Sequence, residues 1–479
     1  LIGSDNIVMG YWSEESDGVY STTRTAKIAG DRHYATLKLS TWSSAQQSDA
    51  YAIRESGAVL AYSSIVTDKT TYTAGGAIKV TVTLKDSYEN LVGGQRDAVN
   101  QAIQLPNTKA ESIAWNEDQK GIYTATYTAL LPGTGLKAQL QMSGWANALT
   151  SNDYSISGDA ASAQIVAMQV TTGNPDVLAN GSDRHTVNVR VEDQFGNVLP
   201  EQTVTFTVTK GAAVFANAGQ SADIRTDAHG MAAVDLSSTV ADASTVEAKI
   251  NQSSDSKTVN FIADVSTAQV AELVVIKDGS EADGSTANTL RVKVTDAFGN
   301  TLAGQTVSVL ADNGATVAPT VITEPDGTVE ISVTSQTAGT STVTASINNS
   351  SQSQNVTFVP GDASQLTSIV ETNKSNYTVG ETITITVTLR DAFDNLVTGA
   401  ASQLAADGVL TVAGTDPSEM GSWVESGGVY TTTRMATIAS TNQHANLQLQ
   451  TWSDGVTSDR YDIQSGSPAQ ATSTIATDK

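Results

Sequence analysis

A chain of 479 residues is several times the ~100–150 residues of a typical domain, and only 16% of it is charged. Its 50 acidic and 26 basic residues leave a net charge of −24, which argues against nucleic acid and anionic membrane surfaces, because both recruit basic patches. Cysteine is absent and no 18-residue apolar run occurs, so disulfides, thiolate metal sites and a membrane-spanning helix are all excluded.

The opening Leu1-Ile2-Gly3-Ser4-Asp5 is neither an initiator nor a signal peptide, so the chain reads as a segment of something longer. Thr-rich, β-branched composition suits pleated, half-buried strands. From residue 78 the pattern is explicit. Ile78, Val80, Val82 and Leu84 alternate with polar residues, predicting a strand with one buried face. Asp86-Ser-Tyr88-Glu-Asn90 follows as a turn in which Asp and Asn bond nearby backbone. The same unit returns as Asp193-Gln-Phe195-Gly-Asn197, Asp296-Ala-Phe298-Gly-Asn300 and Asp391-Ala-Phe393-Asp-Asn395, every 95 to 107 residues. Val187, Val189 and Val191 precede the second copy, and Ile383, Ile385, Val387 and Leu389 the fourth. The turn aromatic is expected to cap the end of the core.

Such a period marks tandem repeats, here of two kinds. In one, a Trp and a Tyr are followed by a second Trp–Tyr pair: Trp12/Tyr20/Trp42/Tyr51, Trp115/Tyr123/Trp145/Tyr154 and Trp423/Tyr430/Trp452/Tyr461. The second pair is nine residues apart in each copy, so a turn must intervene, and Ser44 to Asp49, Ala146 to Asp153 and Ser453 to Asp459 read as hairpin loops. Recurrence in every copy favours core packing over an aromatic carbohydrate platform. The other kind has no Trp. Asp227-Ala-His-Gly230 to Leu236 aligns with Glu324-Pro-Asp-Gly327 to Val333 at an offset of 97 residues, without helical periodicity, which predicts an all-β sandwich.

The expected division is the C-terminal part of a Trp-bearing domain (1–55), a Trp-bearing domain (56–157), two Trp-free domains (158–264 and 265–361), a Trp-bearing domain (362–464) and the first strand of another (465–479). The last assignment rests on Thr472–Lys479, which matches Tyr62–Lys69. Linkers such as Ile156-Ser-Gly158-Asp159 and Val359-Pro360-Gly361-Asp362 are short, so a semi-rigid, elongated rod is expected. Domains of this size, roughly 35 Å across, would span on the order of 150 Å in line.

Little points to catalysis. The four histidines, His33, His185, His229 and His444, have no zinc-ligand spacing, and His33 and His444 read as surface loop residues. Neither a nucleophile elbow nor a Walker loop occurs. For calcium, Asn174-Pro-Asp176 and Asp278-Gly-Ser-Glu281-Ala-Asp283 are the oxygen-rich loops, and solvated loops are the simpler reading of both. No catalytic, cofactor-binding or metal residue is therefore assigned, and no cofactor is expected.

The V-x-D-x-F-G-N turn, the Thr226–Leu236 stretch and the Gly-Asp-Ala linkers resemble group-one bacterial Ig-like domains of the intimin/invasin family of outer-membrane adhesins (inverse autotransporters). The Trp-bearing domains lack the T-D-x-x-G signature and depart further. The resemblance implies tandem immunoglobulin-like sandwiches without disulfides, on the outer face of a bacterial outer membrane. It also implies a β-barrel anchor and a distal binding domain, neither of which lies in this chain. The function it implies is that of a monomeric stalk segment. The partner, a host cell-surface or serum protein, is then engaged through the full-length protein. The alternative is that the Ig-like domains bind such a partner themselves.

Overall fold

Alternation of β-branched and polar residues does what it predicts: each such run forms a strand with its apolar side chains wholly buried. The computed structural model describes residues 1–5, 10–109, 113–172, 176–468 and 472–476. Its contacts divide it into two compact units, one of residues 1–177, 184–238 and 242–260, the other of residues 178–183, 239–241 and 261–479.

In the first unit, Ala77–Thr83 pairs with Ile122–Thr128 on one side and Ser64–Thr67 on the other, and Asn116–Gln119 completes a four-stranded sheet. Facing it are two three-stranded sheets. Thr71–Thr73 pairs with Tyr154–Ser157, which pairs with Gly133–Leu136. Gln139–Leu140 lies between Ile103–Gln104 and Leu149–Thr150. Ile78, Val80, Val82, Leu84, Trp115, Tyr123, Leu140 and Tyr154 fill the space between. The Trp-free repeat of this unit has one sheet with Gln164–Val170, His185–Glu192, Met231–Ser237 and Val214–Phe215 side by side. Its other sheet contains Thr203–Lys210 flanked by Ser221–Arg225 and Ala243–Ile250. Val187, Val189, Val191, Phe206 and Leu236 are buried between them.

The second unit repeats both plans. Gln269–Lys277, Asn288–Thr295, Thr328–Thr334 and Thr316–Val317 make one sheet. Ser280–Glu281, Ser350–Val359, Gly339–Ile347, Thr306–Ala311 and Thr320–Ile322 make the opposing one, around an aliphatic core closed by Phe358. Residues 362–464 repeat the Trp-bearing arrangement, with Thr382–Thr388 central to its four-stranded sheet and Ile383, Ile385, Val387, Leu389, Tyr430 and Tyr461 buried.

The all-β plan holds with one addition, and two expectations need correction. The Trp-bearing repeats contain short helices, Arg96–Ala102 and Ala401–Leu404, which put Val99 and Leu404 into the core. The segments read as hairpin loops each hold a two-residue strand: Gln46–Gln47, Leu149–Thr150 and Val456–Thr457. The serine that directly follows each strand fixes the register: Ser48, Ser151 and Ser458 Oγ accept from the N–H of Ala35, Ala138 and Ala445 respectively, each at 2.9 Å. Secondly, His33 is buried at the end of the strand Gly30–His33, its ring packed against Gly3 and Gly30, whereas His444 is exposed. Part of the final match, residues 477–479, lies outside the described residues, and 473–476 form no strand.

Gly230 shows why its turn needs glycine. Its φ is +73°, and a Cβ there would stand 2.6 Å from the Val191 carbonyl oxygen.

Candidate functional site

The most regular polar construction in the molecule is the D-x-[FY]-x-N turn. Each Asp is buried at the end of a core strand. Its Oδ1 accepts from the N–H two residues on, at Tyr88, Phe195, Phe298 and Phe393, and from the Asn four residues on, at 2.8 to 2.9 Å. Oδ2 takes the Asn side chain and a backbone N–H of the incoming linker: Ser56, Asp159, Asp264 or Gly361, at 3.0 to 3.2 Å. Burial pushes each carboxyl's pKa up, but the Asn side chain and these N–H groups outweigh it and hold Asp86, Asp193, Asp296 and Asp391 below the usual carboxylate value.

The Asn reaches further than its own turn. Asn90 Nδ2 donates to Lys27 O at 2.7 Å, and Asn90 Oδ1 accepts from Ala29 N at 2.9 Å. Asn300 does the same with Thr239 O and Ala241 N, at 3.0 and 2.8 Å. Asn395 does so with Gln336 O and Ala338 N, at 2.9 and 2.7 Å. An amide side chain that donates to residue j and accepts from j+2 imitates one rung of a β-ladder. Asn197 donates to Leu130 O at 2.9 Å, but the residue two further on is Pro132, which has no N–H to return. At this joint Phe195 lies against Gly75 instead, where a Cβ would come within 2.6 Å of the ring. The sequence reading gave Asn a local role only. The one signal was a recurring separation of 59 to 67 residues between each Asn and its partner carbonyl.

The turn aromatic does not cap its own core. Tyr88, Phe195, Phe298 and Phe393 are 45%, 36%, 51% and 42% exposed. With their N–H groups tied to the Asp carboxylate, the side chains lean outward. Tyr88 lies under the Lys27 ammonium, 5.7 Å from its ring centroid.

The tryptophans and tyrosines expected to pack do so in the complete Trp-bearing repeats. Trp145 and Trp452 donate Nε1–H to the Ala58 and Ala363 carbonyls at 3.0 and 2.8 Å, pinning the incoming linker. Tyr123 and Tyr430 are fully buried; each hydroxyl donates to a loop carbonyl (Val92, Val397) at 2.8 Å and accepts from Gln95 or Ala400 N–H at 3.0 Å. Burial raises Tyr123 to about 12. Tyr72 and Tyr377, which the sequence reading passed over, sit edge-on to Tyr154 and Tyr461 with centroids 5.9 and 5.7 Å apart. Lys69-Thr-Thr-Tyr72 and Lys374-Ser-Asn-Tyr377 share the repeat offset, so alignment alone could have found them.

Two carboxylates of the oxygen-rich loop at 278–283 accept from backbone N–H groups. Asp278 accepts from Thr357 N–H, and Asp283 from the Ser285 and Thr286 N–H groups, at 2.6 to 2.7 Å. The hydrogen bonds of Thr286 and Ser285 hold Asp283 far below the ordinary carboxylate range. Among the described residues no three histidine or acidic side chains converge as metal ligands. Asn174 and Pro175 of the other loop lie outside the described residues. His185 is a structural pin between Thr172 Oγ1 and the Asn260 carbonyl, and His229 is exposed near Asp227. No helix of the described residues is long and apolar enough to cross a membrane.

Sandwiches in series, joined through a recurring Asp–Asn turn, define a tandem immunoglobulin-like protein. The family model "Bacterial Ig-like domain (group 1)" matches residues 167–262 and 270–359. The chain is 32% identical over 399 residues, 82% of its length, to the inverse autotransporter adhesin YeeJ of Escherichia coli (strain K12), of which it spans 17%. Similar solved structures include the integrin-binding protein invasin (21% identity, 63% of this chain and 60% of that one, TM-score 0.37) and the D0-D1 domain of intimin (26% identity, 40% and 98%, TM-score 0.19). The chain belongs to the intimin/invasin family of inverse autotransporter adhesins, in the part built of group-one bacterial Ig-like domains.

Proposed function

We propose that this chain is a stalk segment of a bacterial surface adhesin, holding a distal binding domain away from the outer membrane so that it meets host cells. The observation that carries the reading is the joint. In each of four repeats one Asp ties down the incoming linker while its Asn grips main-chain groups of the preceding repeat. Such a joint restricts the angle between neighbours, which a spacer needs and a passive tether lacks. The division we propose is 1–55, 56–157, 158–264, 265–361, 362–464 and 465–479, with the extracellular side of the outer membrane as its location. We propose no catalytic role, since the conserved geometry of the repeats is spent on backbone hydrogen bonds.

The test compares a purified segment of residues 56–464 with the full-length protein for binding to host cells and serum proteins. The full-length protein is expected to bind and the segment to stay free. Saturable binding by the segment alone would make the Ig-like domains themselves the receptor-binding element.

A further inference from the structure

In the Trp-bearing repeats the second strand and the last lie side by side and run the same way; the first strands, Ser64–Thr67 and Ile369–Thr372, belong to the opposing sheet. Thr71–Thr73 pairs in parallel with Tyr154–Ser157, Tyr72 opposite Ile156, and the pair is extended by Ser155 N to Thr70 O at 2.9 Å and Ala74 N to Ser157 O at 2.8 Å. Asn376–Thr378 pairs in parallel with Tyr461–Gln464, extended by Asp462 N to Ser375 O and Val379 N to Gln464 O, both at 2.9 Å. Direction matters under tension. Once Ser64–Thr67 or Ile369–Thr372 has parted from its sheet, a pull on the chain's two ends draws the second strand backward and the last strand forward, so the two must slide past each other along their axes. All the hydrogen bonds between them carry the load together, whereas a hairpin pulled from its open end parts one bond at a time.

A ring pair bars that sliding. Tyr72 belongs to the second strand and Tyr154 to the last; both are buried and meet edge to face, at 82°. Tyr377 and Tyr461 meet at 89°. Every ring is anchored beyond its own strand. Tyr72 OH donates to Asp68 and Tyr377 OH to Asn373, both at 2.8 Å, while Tyr154 OH reaches Pro106 O and Tyr461 OH reaches Ala413 O. In residues 265–361 the parallel ladder is two residues long, Ser280–Glu281 with Phe358–Val359, extended by Gly279 N to Thr357 O at 3.1 Å and Ala282 N to Val359 O at 2.8 Å, so it differs from the others less in its bonds than in its rings. No tyrosine occurs between residues 155 and 376.

We propose that these parallel strand pairs form a shear clamp, and that the Tyr72–Tyr154 and Tyr377–Tyr461 locks make the two complete Trp-bearing repeats the last to unfold when the chain is stretched. The biological use of such a clamp rests on the stalk reading, because a spacer between membrane and host transmits the detaching force; the clamp itself is a property of the strands.

The experiment stretches the whole chain between its ends by single-molecule force spectroscopy, which reads unfolding rates under load rather than equilibrium stability. Two high-force events are expected above a lower-force group. Tyr72→Leu should move one of them into the lower group, and Tyr377→Leu the other. Val80→Ala, in the same core but outside the clamp, should lower stability in denaturant while leaving the high force in place. If Tyr72→Leu does not fold, Tyr72→Phe serves, with a smaller drop expected through the lost hydroxyl bonds. A single force class for all repeats overturns the proposal, as does an equal force loss from Val80→Ala, or no loss from the tyrosine variants. Host binding by the 56–464 segment would end the stalk reading and leave the force result standing.

Discussion

Residues 265–361 and 362–464 reach the same sandwich by different routes. The Trp-free repeat relies on length of ladder: Gly339–Ile347 and Ser350–Val359, nine and ten residues long, pair along their whole extent. Its core is aliphatic with one large ring, Phe358. The Trp-bearing repeat has shorter strands and a helical insertion. It compensates with hydrogen-bonded rings, each spanning the core to a loop on the far side. Burying an aromatic body while satisfying its polar tip lets irregular loops be fixed without ladder bonds. A repeat built on ladders should therefore be sensitive to volume, and one built on rings to single hydroxyls.

The largest effect that would test this contrast is Phe358→Ala, which should cost about 3–5 kcal/mol by cavity formation. All six tryptophans lie in Trp-bearing repeats, so the loss should appear in circular dichroism while the tryptophan-fluorescence midpoint stays in place. A fluorescence shift of equal size would break the separation of the two types. Next comes Tyr430→Phe. It leaves the Val397 carbonyl and Ala400 N–H without their partner, at a cost of about 1–3 kcal/mol seen in fluorescence-detected denaturation. An unmoved midpoint would show that the ring alone matters.

The joints common to both types give smaller effects. Asn395→Ala should abolish hydrogen-exchange protection at the Ala338 amide, with no more than about 1 kcal/mol lost from either repeat. The four turn carboxyls have folded pKa values below their ordinary one. Their contribution is therefore complete above the unfolded value of about 3.9 and is lost as pH falls through the lower, folded value. Stability should thus hold from neutral pH to about 4 and drop below it, and Asp391→Asn should flatten that acid limb in titrations followed by circular dichroism. Smallest of all, Pro132→Ala supplies the N–H that Asn197 lacks, and exchange protection at the new amide should appear where the other three joints already have it.

Much of this was legible in the sequence because it is local. The strands before each turn, the Asp-led turn itself and the packing of Trp115 and Trp452 follow from period and spacing. The second role of Asn was not, since its partners are main-chain groups about 60 residues away, marked only by an alanine at the N–H position of three joints. Reading Phe195 and its equivalents as core caps failed for a related reason: apolarity says that a ring is sheltered, but not by which body. The insertion Arg96–Ala102 hid because a seven-residue helix with Val99 as its one buried residue makes no amphipathic stripe. The exposed Trp12 and Tyr20, in the same motif whose copies Trp115 and Tyr123 are buried in 56–157, show that pairing pattern and burial are separate outcomes. Between residues 1 and 55 the described strands form only two-stranded sheets.

The Asn grip makes little demand on what it holds. Lys27-Ile-Ala29, Thr239-Val-Ala241 and Gln336-Thr-Ala338 offer it a carbonyl from unlike residues and the N–H of an alanine each time. A connector that reads only main chain accepts any neighbour of the right shape, so units can be duplicated, deleted or reordered during evolution with no matching change on the other side. Only a proline at the third position of the gripped loop would weaken the coupling.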